Sequence, residues 1–167
     1  MTKNVDIAAT APKIAGLAFA NSGQVCLALK RIYIHESIFD EFRDAMVSAV
    51  KTMKFGNGTD ATVTHGPIQN SMQYERVKGF FNDINKEGWK VAVGGKNEES
   101  AGYFIQPTII DRPKDDSRIV VEEPFGMPLP PFPISLLIFL SFSIFPRLHF
   151  FSFSTHIHFP FPSSIPR

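Results

Sequence analysis

Cysteine, tryptophan and tyrosine are scarce in this chain: Cys26 and Trp89 stand alone, and there are three tyrosines among 167 residues. A single thiol excludes an intramolecular disulfide framework and a zinc site built only on cysteines. Excess charge of either sign is also missing, since 17 Lys and Arg stand against 16 Asp and Glu, a formal net charge of +1. Binding through phosphate contacts needs a basic face, so no nucleic-acid partner is expected. Residues 1–20 hold no apolar core of a secretory signal, because Asp6 interrupts the only candidate stretch, and a cytoplasmic location is expected. The length gives a prior of one domain.

Those averages hide two compositions joined after Gly126. Every acidic residue lies in 1–126 with 15 of the basic ones, a net charge of −1 for that part. Residues 127–167 carry only Arg147 and Arg167 as charges, and hold 9 of the 17 Phe, 8 of the 13 Pro and 7 Ser. This low-complexity tail keeps neither a helical nor a strand period. A membrane span needs about 20 mostly apolar residues. The run from Ile134 to Phe145 has 12, bracketed by Pro133 and Pro146, so a membrane partner is not expected, and a fragment tethered to a membrane through this run is kept only as an alternative. A packed extension of the core is disfavoured by the recurring proline. All tail residues except two Arg and three His are types with a pyrimidine at the second codon position, which matches translation of a pyrimidine-rich non-coding stretch. The tail is therefore expected to be disordered or non-native. His149, His156 and His158 read as accidents of that background, and no metal site is expected.

The first 126 residues alternate helical and extended patterns. Ile7, Ala11, Ile14, Ala15, Ala18 and Phe19 recur at three- and four-residue spacing, predicting a helix over 6–21 that stops at Asn21-Ser22-Gly23. R-I-Y-I-H over 31–35 reads as a strand. Ser37 looks like the N-cap of a helix burying Ile38, Phe39, Phe42, Met46, Val50 and Met53, ending near Gly56. A loop over 57–67 leads to a helix over 70–87, with Met72, Val77, Phe80, Phe81 and Ile84 inward and Gly88 closing it. Strands are expected over 89–93 and 103–110, with Pro107 at an edge or bend. The alternation implies an α/β fold with a mostly parallel sheet and flanking helices.

Cys26 follows Gly23-Gln24 between a predicted helix and a predicted strand. A thiol on such a junction can be reached by a small molecule while its flanks are held still. Alone, it reads first as a small buried hydrophobe, the usual role of an isolated free cysteine.

Its context decides between the two. Phe19-Ala20-Asn21-Ser22-Gly23-Gln24-Val25-Cys26 resembles the F-x-x-x-G-Q-x-C motif of the NAD(P)-dependent aldehyde dehydrogenases. R-I-Y-I-H-E-S-I-F-D-E-F over 31–42 resembles the strand and helix that follow it there. G-Y-F-I-Q-P-T over 102–108 and E-E-P-F-G over 122–126 are similar to two further motifs in the same order. The resemblance covers residues 5–126 and implies a partial catalytic domain of that family.

By resemblance, Cys26 corresponds to the nucleophile that attacks an aldehyde, and covalent capture divides one hard oxidation into two easier steps. Its backbone N–H would supply part of an oxyanion hole. Glu123 corresponds to the carboxylate that holds the nicotinamide ribose, Phe125 to an aromatic beside the nicotinamide, and Gln73 to a position near the adenosine side. Outside the motifs, these three would read as a solvated charge, a core residue and a helix-surface amide. NAD or NADP is the implied cofactor and a small-molecule aldehyde the implied substrate, oxidised to a carboxylic acid. The family's glycine-rich turn, general-base glutamate and oxyanion-hole asparagine lie upstream of its cysteine motif and have no counterpart here. The resemblance thus implies an incomplete, inactive catalytic unit, associating with itself or with longer relatives through exposed apolar surface.

Overall fold

The structure, a computed structural model, describes residues 2, 4–96 and 101–134. Most of the Phe/Pro/Ser-rich segment, with His149, His156 and His158, lies outside the described residues.

Helix α1 (Ile7–Phe19) begins where Asp6 accepts a hydrogen bond from the Ala9 N–H, and buries Ala11, Ala15, Ala18 and Phe19. Small side chains on that face allow α1 to lie directly against helix α2 (Phe39–Lys51), which buries Phe39, Phe42, Met46 and Val50. Burial of side chains this size contributes about 1.5–3 kcal/mol each. Strand β1 (Ile32–His35) precedes α2, with Ile32 and Ile34 inward. The start of α2 differs from expectation. Ser37 does not cap α2: it lies inside a 3-10 turn over Glu36–Ile38, which His35 caps by accepting from the Ser37 N–H at 3.2 Å through Nδ1, and α2 then starts after Ile38 with no side-chain cap. Ring nitrogen and strand end are placed together by β1, so the hydroxyl is not required.

Helix α3 (Ser71–Lys86) is capped by Asn70, which accepts from the Gln73 N–H, and buries Val77, Phe80, Phe81 and Ile84. Met72, expected inward, is 76% exposed. It lies five residues before Val77 and thus about 140° around the helix from the buried face. Strand β2 (Lys90–Val93) pairs antiparallel with β3 (Thr108–Asp111). The strand expected from Tyr103 begins only at Thr108. A short helix α4 (Arg118–Val121) follows.

Two more strands complete the sheets: β4 (Pro128–Leu129), parallel to β3, and β5 (Pro131–Ile134), parallel to β1. Among the described residues, two of the three strand pairings are thus parallel, in sheets ordered β2-β3-β4 and β1-β5. Residues 127–133 therefore join the buried layer despite their prolines, against the expectation that proline excludes them. The hydrogen-bond parity explains this. Met127 O accepts from Thr108 N and Pro130 O accepts from Ile32 N. Backbone groups of Pro128, Pro131 and Pro133 consequently face away from β3 and β1, where a missing N–H breaks no ladder bond. Asp111, buried at the end of β3, is held by Arg43, Lys90 and Arg112, each at 3.2 Å. This cluster pins β3 to α2 and satisfies a carboxylate that burial alone would penalise. Among the described residues, no helix is long and apolar enough to cross a membrane.

Candidate active site

After α1 the chain turns through three consecutive left-handed residues, Asn21 (φ 47°), Ser22 (φ 58°) and Gly23 (φ +73°). For residues with a side chain this region costs about 1–2 kcal/mol, least for Asn. Such a conformation persists only where its surroundings enforce it, and here they do. The Ser22 hydroxyl donates to Gly66 O at 2.7 Å. The Gln24 amide donates to Asn21 O and Pro67 O, both at 3.3 Å, and accepts from the Gln69 N–H at 2.9 Å. The G-Q of the motif is thus a clamp between this turn and the loop before α3.

Cys26 sits one step further on, in a tight turn closed by Ala28 N donating to Val25 O at 3.0 Å. Its thiol is free and exposed. Among the described residues neither its Sγ nor its backbone N–H is engaged in a hydrogen bond.

The E-E-P-F-G segment meets this turn directly. A Cβ built on Gly23 would stand 2.0 Å from Gly126 O, so the two glycine backbones touch. Gly126 in turn presses on Val77 of α3, whose Cγ2 would lie 2.6 Å from a Cβ there. Gln73 also anchors the segment: its amide donates to Pro124 O at 2.9 Å and Phe125 O at 3.0 Å. Both N–H bonds are spent on this loop, leaving only the amide oxygen for any other partner. Arg76 adds a hydrogen bond to Glu123 O at 3.1 Å. Held this way, Phe125 adopts φ 50°, another left-handed residue with a bulky side chain.

The site has a member with no signal in the sequence. Lys30 reaches back from the end of the turn to donate to Gly23 O. Its Nζ is also 3.8 Å from Glu123 Oε1 and 5.1 Å from the centroid of the Phe125 ring. Burial pushes the Lys30 amine below its ordinary pKa, and the nearby Glu123 partly offsets that effect. Glu123 keeps a half-exposed carboxylate with capacity to accept further hydrogen bonds. The structure therefore brings Gln73, Glu123 and Phe125 into one loop network, and fastens that network to the Cys26 turn through Gly23 and Lys30. A depression of about 490 Å³ around Trp89, Asp111, Arg112 and Arg118 shares no residue with it.

Residues 1–132 match the profile of the aldehyde dehydrogenase family. The chain belongs to this family. It is 40% identical over 124 residues to a mitochondrial aldehyde dehydrogenase of Leishmania tarentolae, covering 74% of this chain and 25% of that one. A probable aldehyde dehydrogenase from a Pseudomonas species is 40% identical over 113 residues, or 68% and 23% of the two chains. The NAD+ complex of an aldehyde dehydrogenase from Bacillus cereus superposes with a TM-score of 0.77 at 30% identity, covering 82% of this chain and 28% of that one. The NAD+ complex of the Mycobacterium tuberculosis aldehyde dehydrogenase gives 0.76, also at 30% identity. This chain spans about a quarter of the length of the curated relatives it matches. The aldehyde dehydrogenase match runs past Gly126 to residue 132, in step with strands β4 and β5.

Proposed function

We propose that this chain is the nucleophile-bearing portion of an NAD(P)+-dependent aldehyde dehydrogenase, with Cys26 as the attacking group. The observation that carries this reading is the backbone contact of Gly23 with Gly126, which fastens the Cys26 turn to the Glu123–Phe125 segment. In the reaction, the Cys26 thiolate forms a C–S bond to the aldehyde carbon while the carbonyl electron pair moves to oxygen. The unengaged Cys26 N–H donates to that oxygen as charge develops, a contribution typically worth about 10²–10³ in rate. Glu123 and Phe125 would hold the nicotinamide riboside end of the dinucleotide, the carboxylate accepting from a diol and the ring covering an aromatic face. The chemistry supplied by a bound NAD(P)+ is acceptance of the hydride that leaves the aldehyde carbon. Water then releases the acid and returns the thiol. Gln73 acts on this site through the loop carbonyls it holds.

Among the described residues no side chain hydrogen-bonds Cys26 Sγ, so none is placed in this structure to take the thiol proton directly. The 167-residue chain by itself is accordingly expected to bind and add an aldehyde without sustained turnover. A free thiol on an exposed turn suits a reducing compartment, which favours the cytosol. The test is iodoacetamide labelling of Cys26 in the full chain, read by mass spectrometry, with and without hexanal. Hexanal should slow labelling of Cys26 more than it slows labelling of glutathione in the same tube. Equal slowing of the two thiols would remove Cys26 as an aldehyde acceptor.

A further inference from the structure

We propose that Lys30 is a positioning residue that couples the Cys26 turn to the Glu123–Phe125 segment, an inference that rests on Cys26 being the nucleophile. Three independent contacts converge on one ammonium. It donates to the carbonyl of Gly23, the residue whose left-handed turn sets the direction of the chain into Cys26. It pairs with the Glu123 carboxylate, and it lies over the face of Phe125. Gly23 belongs to the cysteine side of the site, whereas Glu123 and Phe125 belong to the other side. The Lys30 side chain is only 18% exposed, so its hydrogen bond to Gly23 O and its contact with the Phe125 ring are largely shielded from water and salt, whereas the pair with half-exposed Glu123 is screened more. A charge-assisted hydrogen bond and a cation–π contact in such a place each outweigh their exposed counterparts.

The geometry explains why a lysine serves here. Its four-carbon stem spans from the end of the turn back over the site, and its three N–H donors can address a carbonyl and a carboxylate together. Gly23 and Gly126 already touch through their backbones, but a van der Waals contact fixes distance without fixing orientation. Lys30 adds direction, because the Gly23 carbonyl and the Glu123 carboxylate must both aim at one point. Removing it leaves the Gly23 carbonyl without its donor and frees Glu123 and Phe125 to reorient independently of the cysteine turn.

Hydrogen exchange of the full 167-residue chain, resolved by peptide mass spectrometry, reads this coupling. Lys30→Met keeps the stem and removes the charge. It should speed exchange about tenfold in both 20–27 and 122–126, the scale of a lost hydrogen bond to a charged group, with α2 and the β2–β3 pair unchanged. Lys30→Arg, which keeps a cationic donor, should restore part of the protection in both segments. The same Lys30→Met chain should lose the extra hexanal protection of Cys26. Acceleration confined to one segment, acceleration spread evenly over the whole chain, or identical behaviour of Met and Arg variants would each overturn the proposal. If Cys26 of the unmodified chain shows no extra protection by hexanal, the catalytic reading fails, while the paired change in exchange still reports on Lys30.

Discussion

Replacing Gly23 by alanine tests the contact on which the site depends. Two costs act at this position and can be separated. An alanine held at φ +73° bears the left-handed penalty, about 1–2 kcal/mol. The added Cβ would also stand 2.0 Å from Gly126 O and 2.6 Å from its carbonyl carbon, both backbone atoms that cannot swing aside. Real Cβ contacts begin near 3 Å, so the two loops must part by about 1 Å, and overpacking of this kind adds about 1–3 kcal/mol. The expected loss is therefore about 2–5 kcal/mol, a large share of the stability of a domain this size. Gly88→Ala supplies the reference. It too has a left-handed backbone, φ +65°, but nothing lies within 4 Å of its Cβ, so it should lose only the backbone share of about 1–2 kcal/mol. Urea unfolding of the three chains, followed by far-UV circular dichroism, gives both losses. Gly23→Ala should also abolish the extra protection of Cys26 by hexanal, which Gly88→Ala should leave intact. If the two variants agree within about 0.5 kcal/mol, the Gly23–Gly126 contact does not hold the site together.

Other residues carry expectations of their own. Phe80 is fully buried in α3 beneath the Arg118 guanidinium, 4.1 Å from its ring, and Phe80→Ala should cost about 3–5 kcal/mol in the same urea experiment. His65 is buried, and desolvation holds its imidazole below the ordinary value of 6.5. Below that value the unfolded chain binds the proton more readily than the folded one, so stability should fall as pH drops through 6.5. In His65→Gln, urea midpoints measured across that range should lose this part of the slope; an unchanged slope would place its origin elsewhere.

Much of the fold is legible in the residues themselves, because short-range rules suffice for it. The helices expected over 6–21 and 70–87 start where expected, at Asp6 and Asn70, and the buried faces of α1, α2 and α3 follow the spacing of Ala, Phe and Val along each helix. The misreadings share a cause. Ser37 has the chemistry of a cap, but β1 delivers His35 to the Ser37 N–H, which draws Ser37 into a 3-10 turn ahead of α2. Met72 has the chemistry of a core residue, yet its angular position turns it outward. The prolines of 128–133 look incompatible with a packed strand until the pairing partners show which edge each backbone group faces.

The site divides in the same way. By itself the amino-acid order determined the family, because the residues around Cys26, 102–108 and 122–126 keep a pattern that needs no coordinates to recognise. It also determined the candidates Cys26, Glu123, Phe125 and Gln73. Only the tertiary structure decided what joins them: Gly23 against Gly126, the Gln73 amide on the loop carbonyls, and Lys30 between the two halves. The reason is physical. A motif records which side chains a segment brings to a site, but a contact between distant segments depends on how the core between them packs, and no local pattern carries that information.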